Sequence, residues 1–595
     1  MDLKTGVERY VPGVRAARSY QKRWARPDAV AGLVLAAILV PQGMAYAELA
    51  GLPAVTGLYT TIACLVGYAI FGPSRVLVLG PDSSVSPLIF AAIAPLFVAG
   101  DMEAAIALAG MLAILVGLVE VGLGAFKLGF VADLLSSEVQ VGYMNGLAVT
   151  IIVGQLPKLF GFSTDSDTFW DDIHEFFTHL DETKAAALAI GVGVLVVLLV
   201  LPRVSRRIPA VLVAVAAATI VSAIAGLSSE IATVGTLPQG VPTPSLPWTQ
   251  LSDVGPLLLA AMGIVLVSLT DTIATASAFA ARRGDELEPN QEMIGIGASN
   301  IAAGFFQGFA VSTSGSRTAV AFKAGARSQI TGLVGAVAIL ILLVVAPNLL
   351  AALPIPVLGA IVVVAAFSLA EIPATRRLWS QRRMEFWLSI AATLAVAVLG
   401  VLPGIGVAVA LSILNVFRRS WWPYQAVLGR EKGTNPGYFD LAENPRAGSM
   451  PGLTIFRFDA PIFFANARTF ADQVLRLADA DPKPNWILVA AEPISDIDTT
   501  AADMLEELAG DLETRGVQLA FAELKEPVRA KIDGYGMHHV LEKFHYFSTL
   551  NKAGKAYQEK YGTLWPGEEP PAAAAAPATA AAPAPAPAAI DEPER

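Results

Sequence analysis

Long apolar stretches, broken by Gly, Pro or charged residues, occupy most of this chain between residues 29 and 417. A membrane-spanning helix needs ~20 mainly apolar residues, and twelve stretches fit that pattern. Two further segments, 82–97 and 314–322, are rich in Ser, Thr, Gly and Pro, which is typical of interrupted spans. Together they predict fourteen crossings. The twelve clear stretches lie near 29–47, 54–71, 104–126, 136–156, 185–201, 208–226, 255–280, 292–310, 329–351, 355–370, 386–400 and 402–417.

The charges between these segments test the count, because cytoplasmic loops of membrane proteins collect Lys and Arg. The predicted outside loops 159–183 and 227–254 contain neither residue type. With both ends of the chain inside, every predicted inside loop is basic. The basic residues of those loops are Arg75; Lys127; Arg203, Arg206 and Arg207; Arg282 and Arg283; Lys323 and Arg327; Arg376, Arg377, Arg382 and Arg383; Arg418 and Arg419.

Fourteen spans divide into seven plus seven, and an odd number of crossings in the first half makes the second half enter from the opposite side. Two similar halves would then form an inverted repeat, an architecture of many secondary transporters. The two interrupted segments fall third in each half. This placement predicts an all-α polytopic membrane domain with a seven-plus-seven inverted repeat.

Composition separates this membrane body from the C-terminal part. The chain of 595 residues is 54% hydrophobic and 15% charged, against roughly 25% charged in a soluble protein, which argues against a soluble enzyme. Residues 28–417 hold 40 charged side chains and residues 418–595 hold 43. The net charge of −10 does not suggest a nucleic-acid partner, and one Cys and five scattered His predict no metal site. No cofactor is predicted.

Interrupted helices at matching positions would bring two helix N-termini together near the bilayer midplane. Each N-terminus carries roughly half a positive charge and unpaired amide groups, so two of them form an anion cradle. Hydroxyl donors are available beside both predicted starts, from Ser83, Ser84, Ser314 and Ser316.

Charged residues at membrane depth are candidates for function because they are costly there. Arg317 is interpreted as part of the anion site, with a loop residue extending to the cytoplasmic interface as the alternative. Asp271 and Thr275 lie one turn apart in the eighth span, so they share a face and could hold a coupling cation or proton, or neutralise Arg317. Glu48 is either an outer-surface residue or a buried protonatable group. Glu120 is assigned no role.

Residues after 452 have the pattern of a small soluble domain. Segments 453–458 and 486–490 are predicted strands, and segments 465–478 and 502–515 have helical apolar spacing. Alternating strands and helices indicate an α/β domain. Residues 563–595 are rich in Pro and Ala and are expected to be disordered. His538, His539 and His545 are interpreted as surface residues.

Several short motifs follow one another in the membrane body: Pro27–Asp28, Pro41–Ala47, Gly51–Pro53, Gly57–Tyr59, Gly80–Pro81, Asn290–Glu292 before Gly304, and Ser314–Arg317. In this order they closely resemble the sulfate permease (SulP) family, the solute carrier family 26 type that includes prestin and pendrin. The similarity covers roughly residues 10–560. The segment 496–501 resembles the sulfate transporter and anti-sigma factor antagonist (STAS) domain.

The resemblance implies a core domain that moves against a gate domain, usually in a homodimer, followed by a STAS domain. The anion would lie between the half-helices that begin near Ser83 and Ser314. By matching positions, Gln42 and Tyr46 correspond to first-span residues that face the anion, and Arg317 corresponds to the basic residue that supplies the positive field. The expected anion site is completed at the two helix starts by Ser83, Ser84, Ser314, Gly315 and Ser316.

The same resemblance bears on coupling and regulation. Asp271 and Thr275 match the sodium site of the sodium-coupled bicarbonate branch, which lacks an arginine where this chain has Arg317. Glu48 matches an acidic position of proton-coupled bacterial members. Thr499 matches a position that can be a phosphorylated Ser or Thr, although it could also be an ordinary helix N-cap.

We therefore expect a multi-pass protein of the cell membrane, with both termini cytoplasmic, that takes up an inorganic anion by alternating access. Sulfate with protons is the first choice, because a site with two helix starts and an arginine suits a divalent anion. Sodium-coupled bicarbonate transport, proton-coupled C4-dicarboxylate transport and a passive anion channel are the alternatives. The expected domains are 1–27 cytoplasmic, 28–418 transmembrane, 419–451 linker, 452–562 STAS and 563–595 tail.

Overall fold

The computed structural model describes residues 11–98, 100–129, 136–164, 168–205, 209–431, 437–536 and 544–566. The chain divides into two units, Met1–Ile413 and Leu414–Arg595. Residues 1–10, His538, His539 and residues 567–595 of the Pro/Ala-rich tail lie outside the described residues.

Helices make up most of the described residues of the first unit. Each of the fourteen predicted segments contains one α-helix, and within the described residues three further short α-helices lie between or before them. The helices are α1 Pro12–Arg18, α2 Ala25–Leu49, α3 Ala54–Phe71, α4 Ser86–Ile93, α5 Met102–Ala125, α6 Ser137–Phe160, α7 Phe169–Thr178, α8 Ala185–Val204, α9 Ala210–Ala225, α10 Leu251–Arg283, α11 Pro289–Phe305, α12 Gly315–Lys323, α13 Ile330–Val345, α14 Ile355–Leu369, α15 Ile372–Gln381, α16 Arg383–Leu399 and α17 Val401–Trp421.

The outer surface of these helices is apolar. Val192, Val196 and Leu199 of α8 are all exposed, as is Leu259 of α10. Such a surface is typical of contact with lipid. In the described part of the chain, eight helices are at least 18 residues long and apolar enough to cross a membrane, and three shorter helices are also apolar.

Helix packing follows the order expected of two inverted halves. Helix α5 packs on α11, and its counterparts seven segments away, α13 and α3, also pack together. The same relation links α13 on α2 with α5 on α10, and α16 on α6 with α14 on α8. The repeated pattern of neighbours is what an inverted repeat produces.

These contacts separate the helices into two groups. The core group contains α2 to α5 and α10 to α13, and the gate group contains α6, α8, α9, α14 and α16. Among the larger contacts between the two groups are those that α2 makes with α9 and α14. Glycines allow close packing within the core group: a Cβ on Gly57 of α3 would lie 1.9 Å from the Gly43 carbonyl oxygen of α2.

Two short strands lie inside the core group. Strand β1, Leu79–Gly80, pairs antiparallel with β2, Ser312–Thr313, so that Leu79 faces Thr313 and Gly80 faces Ser312. Strand β1 leads to α4 through residues 81–85, and β2 leads to α12 through Ser314. The strands therefore join the two interrupted segments, one from each half.

The second unit is an α/β domain built on one mixed sheet in the order β4-β3-β6-β7-β8-β9, with β5 paired to β3. Neighbouring strands from β6 to β9 run parallel, and β3 runs antiparallel to β6. The elements are β3 Gln425–Glu431, β4 Tyr438–Asp440, β5 Ala447–Gly448, β6 Leu453–Phe458, α18 Ala467–Ala478, β7 Trp486–Ala490, α19 Thr499–Thr514, β8 Gln518–Ala522, α20 Glu526–Gly534, β9 His545–Phe547 and α21 Leu550–Tyr561.

Alternate residues of the central strands enter two hydrophobic cores. Phe456 and Val489 join the core that includes α18, α19 and α20, whereas Ile455 and Leu488 join the core that includes α21. A strand with both faces buried has a continuous apolar sequence, which is why β6 and β7 were predictable.

Residues 419–451, predicted as the linker, include regular secondary structure. They contain β3, β4 and β5, and β3 pairs with β6 from Gln425 opposite Phe458 to Leu428 opposite Ile455. The alternation in β3 is short and is followed by a polar stretch, so the sequence signal for a strand is weak.

Candidate functional site

Two helix starts lie side by side because β1 and β2 are paired. Ser314 N–H donates to the Val78 carbonyl oxygen at 3.3 Å, and Val78 N–H donates to the Thr318 hydroxyl at 3.1 Å. These bonds fasten the start of α12 to the segment that leads into α4. The first amides of a helix have no partner within the helix and carry partial positive charge.

Arg317, in the first turn of α12, is buried, with 2% of its surface exposed. Its guanidinium donates to the backbone oxygens of Pro81 and Gly80 and to the Asp82 carboxylate, the last at 3.0 Å. A Cβ on Gly80 would lie 3.0 Å from the guanidinium nitrogen Nη1, so this position favours glycine. The alternative in which Arg317 extends to the cytoplasmic interface is therefore wrong.

Asp82 is the residue that the sequence interpretation missed. Its Oδ2 forms the ion pair with Arg317, and its Oδ1 accepts from the Ser84 backbone N–H at 3.0 Å and from the Ser84 hydroxyl at 2.9 Å. Neutralisation of Arg317 was one of the alternatives considered for Asp271. The signal for Asp82 was an acidic residue inside an interrupted span, the same signal that identified Asp271.

Helix α2 contributes the face that contains Tyr46. The Tyr46 phenol interacts with the Ser83 side chain and with the charges of Asp82 and Arg317. Gln42 lies one turn earlier on α2, and its Oε1 is buried with no hydrogen-bond partner among the described residues. Tyr46 and Gln42 are thus one turn apart on the helix that packs against α4 and α12.

Helix α10 contributes Asp271 and Thr275. Asp271 interacts with the Ser84 side chain and with the Asp82 charge. The Thr275 hydroxyl lies 3.8 Å from the position that a Cβ of Gly315 would occupy. Between them, Thr272 forms a hydroxyl hydrogen bond of 3.0 Å to Thr313, which holds this face of α10 against β2.

The start of α12 is the accessible side of the arrangement. Gly315 and Ser316 are exposed, and Ser314 is half-buried, with its hydroxyl 3.0 Å from that of Ser316. Ser83 and Ser84 are buried. An entering ligand would therefore meet the amides and hydroxyls of residues 314–316 first.

Buried polar atoms without partners surround these helix starts. Within the described residues, the Ser312 hydroxyl, the Nε of Arg317 and the Tyr143 hydroxyl form no hydrogen bond. Tyr143 comes from α6 of the gate group, and its phenol interacts with the charge of Asp271. Buried unsatisfied groups are uncommon and often indicate a site for water or a ligand.

Glu48 is not part of this cluster. It lies at the C-terminal end of α2, with 17% of its side chain exposed, and its carboxylate is 3.7 Å from the Lys158 ammonium of α6. It is therefore neither an isolated outer-surface residue nor a fully buried group. The ion pair joins a core-group helix to a gate-group helix.

Glu120 is connected through Asn300 to the segment that leads into β2. It is fully buried, accepts from Ser268 at 3.2 Å and from the Asn300 amide at 2.7 Å. The Asn300 side-chain oxygen in turn accepts from Val311 N–H at 2.7 Å, immediately before β2. Sequence reasoning assigned Glu120 no role because its partners are distant in the chain.

Comparison with known proteins adds the evolutionary relationship. A model of the sulfate permease family matches residues 26–392, which is more than half of the chain. The chain belongs to the sulfate permease family. A STAS domain model matches residues 442–553 of this sulfate permease. The predicted fold class, a helical membrane domain followed by a small α/β STAS domain, is confirmed.

Relatives cover nearly the whole sulfate permease chain. A probable sulfate transporter of Mycobacterium tuberculosis is 41% identical, with 93% of this chain and 98% of the relative covered. A chloroplastic sulfate transporter of Arabidopsis thaliana is 30% identical, with 93% and 83% covered. The inward-facing structure of the murine anion transporter Slc26a9 gives a TM-score of 0.85 at 25% identity, with 94% and 95% covered. Together with the apolar helices, these relatives identify a multi-pass membrane protein.

The STAS domain contains the regulatory candidate. Thr499 is exposed and is the first residue of α19, but the N-cap is Asp498, whose side chain accepts from Ala501 N–H at 2.8 Å. The interpretation of Thr499 as the N-cap is therefore wrong. The chain offered adjacent residues that can both cap a helix, and the sequence did not distinguish them.

Proposed function

We propose that this sulfate permease is a secondary active carrier that takes up an inorganic anion, sulfate first, together with protons. It acts in the cell membrane, with both termini cytoplasmic and as a homodimer. The observation that carries the proposal is the joining of two helix starts by β1 and β2 beside the buried Arg317. Helix N-termini bind anions through their amides and dipoles.

The anion-binding residues are those already brought together around the helix starts. An entering sulfate would accept hydrogen bonds from the amides and hydroxyls of residues 314–316, with the Arg317 guanidinium beneath them. Tyr46 and Gln42 would contact it from α2. The unpartnered hydroxyl of Ser312 supports this role, since a bound oxyanion would supply its missing partner. Ser83 and Ser84 act through Tyr46 and Asp82.

The choice of sulfate is supported by the similarity to probable sulfate transporters. Bicarbonate, chloride and C4-dicarboxylates are tested as competitors. The division of the helices into two groups supports alternating access, because the core group carries both helix starts while the gate group contributes Tyr143. In this proposal the core group moves past the gate group with its anion, in an elevator-like motion.

The central experiment is counterflow in proteoliposomes. Unlabelled sulfate inside the vesicles should accelerate entry of labelled sulfate, because a carrier returns faster when it is loaded. A passive channel gives no acceleration. Competition by bicarbonate, chloride and succinate identifies the preferred anion. If one of these anions inhibits uptake more strongly than unlabelled sulfate does, that anion replaces sulfate as the proposed substrate.

Arg317→Ala should abolish sulfate uptake, because it removes the cation beside the helix starts and leaves Asp82 unpaired. The matched control is Lys323→Ala, which removes an exposed positive charge from the other end of the same helix. Uptake and the yield of monodisperse protein are measured for both. Equal uptake by the Arg317 and Lys323 variants would contradict the anion-site assignment.

Glu48→Gln should abolish accumulation driven by a pH gradient while preserving sulfate binding. Protonation of Glu48 would break its ion pair with Lys158 and so free the core group from the gate group. Full proton-driven accumulation in the variant would remove Glu48 from the mechanism. If external sodium stimulates uptake and Asp271→Asn abolishes that effect, sodium coupling through Asp271 and Thr275 replaces proton coupling.

A further inference from the structure

Asp82 places a negative charge beside the arginine of the site, at the start of α4. Its Oδ2 lies 3.0 Å from the Arg317 guanidinium. Its Oδ1 accepts from the Ser84 backbone N–H and from the Ser84 hydroxyl. Its backbone oxygen accepts from the N–H of Ser86, the first residue of α4, at 3.0 Å. These bonds fix the position of the carboxylate.

The guanidinium is held by the same segment of the chain. Nη1 of Arg317 donates to the backbone oxygen of Pro81, and Nη2 donates to that of Gly80 and to Asp82. The Nε atom is buried and has no partner among the described residues. Both terminal nitrogens therefore have partners within residues 80–82, and Nε is the guanidinium nitrogen that still lacks one.

The effect of Asp82 on a bound anion follows from its charge and its burial. Asp82 is 9% exposed and Arg317 is 2% exposed, and buried charges are screened by salt much less than exposed charges. The arginine attracts an anion at the helix starts, while the carboxylate held next to it repels that anion. The repulsion is proportional to the charge of the anion. It is therefore twice as large for a divalent anion as for a monovalent anion in the same place.

We propose that Asp82 is a specificity-determining residue that limits how strongly the site prefers divalent over monovalent anions. Its fixed negative charge cancels much of the field of Arg317, while the backbone oxygens of Gly80 and Pro81 keep the guanidinium in place. This inference rests on the proposed function, since it concerns an anion bound at the helix starts.

Anion binding to the purified full-length protein tests the proposal with two tetrahedral anions of different charge, sulfate and perchlorate. Labelled sulfate gives the sulfate affinity, and displacement of the label gives the perchlorate affinity, at fixed pH and ionic strength. Asp82→Asn removes the charge and keeps the side-chain shape. Because the repulsion removed is twice as large for sulfate, the gain in sulfate affinity should be the square of the gain in perchlorate affinity. We expect about tenfold for perchlorate and about a hundredfold for sulfate.

Further variants separate the charge of Asp82 from its shape. Asp82→Ser is smaller and also uncharged, so it should shift the ratio of the two affinities in the same direction as Asp82→Asn. Asp82→Glu keeps the charge and should keep the ratio close to that of the wild type. The matched control is Asp101→Asn, the same substitution at an exposed carboxylate that precedes α5, and it should leave both affinities unchanged. Thermal unfolding shows whether each variant is folded.

The outcomes distinguish this inference from the proposed function. An equal change for the two anions, or a weaker sulfate affinity in folded Asp82→Asn, would overturn the role of Asp82 in selectivity. The same ratio shift in Asp82→Glu as in Asp82→Asn would overturn it as well. Anion transport through the helix starts would stand in each of these cases. A folded wild type that binds neither anion would overturn the proposed function and this inference with it.

Discussion

Asp28 offers the sharpest test of what holds the two inverted halves together. It is fully buried in the first turn of α2. Its carboxylate accepts four hydrogen bonds from the second half, three from the segment before α13 and one from the first turn of α13. The donors are Arg327 N–H at 2.6 Å, Ser328 N–H at 3.2 Å, the Ser328 hydroxyl at 2.7 Å and the Thr331 hydroxyl at 3.0 Å.

The magnitude follows from what each substitution leaves unpaired. Asp28→Ala leaves several donors without a partner, and each buried donor left unsatisfied costs about 1 to 3 kcal/mol in the free energy of unfolding. Asp28→Asn keeps one oxygen for the amides and can donate from its nitrogen to the Ser328 hydroxyl. It loses the charge, and we expect a cost of about 1 to 2 kcal/mol because charge-assisted bonds are roughly twice as strong.

Thermal unfolding of the detergent-solubilised protein, with and without sulfate, measures the effect. Asp101→Ala is the matched control, because Asp101 also accepts a helix-start amide, from Ala104 at 3.0 Å, but it is exposed and acts within its own helix. We expect the order wild type, Asp101→Ala, Asp28→Asn, Asp28→Ala, with sulfate affinity retained in Asp28→Asn. Equal unfolding midpoints for the two alanine variants would refute the reasoning.

Two further predictions concern helix contact and the STAS domain. Gly57→Ala should lower uptake and stability, because its Cβ would lie 1.9 Å from the Gly43 carbonyl oxygen and force α3 away from α2; labelled sulfate uptake and unfolding midpoints check this, and normal values would contradict the packing. A hydrogen bond from Lys531 at 2.6 Å lowers the pKa of Asp496, so Lys531→Met should return that pKa toward its usual value. A carboxyl group whose pKa is lower in the folded than in the unfolded protein stabilises the fold at pH values above its unfolded pKa, and this stabilisation is lost as the pH falls through its folded pKa. The difference in unfolding stability between wild type and Lys531→Met should therefore shrink in acid. A difference that grows in acid would argue against the ion pair.

The membrane body was largely predictable because span length and loop charge are local signals. Each of the fourteen predicted segments contains a helix. The half-helix starts were less accurate: α4 begins at Ser86 rather than near Ser83, because Asp82 Oδ1 accepts from Ser84 N–H and holds a turn before the helix. Such a turn depends on a single side chain and leaves no periodic pattern.

The site was predicted in its residue types but not in its pairing. Arg317 and Asp271 stood out because charges are rare at membrane depth, and the structure brings both to the helix starts. The partner of Arg317 is Asp82, which is 235 residues away in sequence. Nothing local distinguishes Asp82 from Asp271 as that partner, so the ion pair required the fold. The Glu48 pair with Lys158 was missed for the same reason.

The pairing of β1 with β2 has a consequence for how the protein is made. Leu79 and Gly80 leave the ribosome long before Ser312 and Thr313, so the first strand has no partner during synthesis of everything between them. Contacts so distant in sequence form late. Asp82 likewise has no partner until Arg317 has been synthesised, so its carboxylate remains uncompensated in the nascent chain until the tenth segment has been made. Biogenesis of the site is thus completed only after most of the membrane domain has been synthesised, and a chain truncated before residue 312 contains half of the ligand-binding groups and no site.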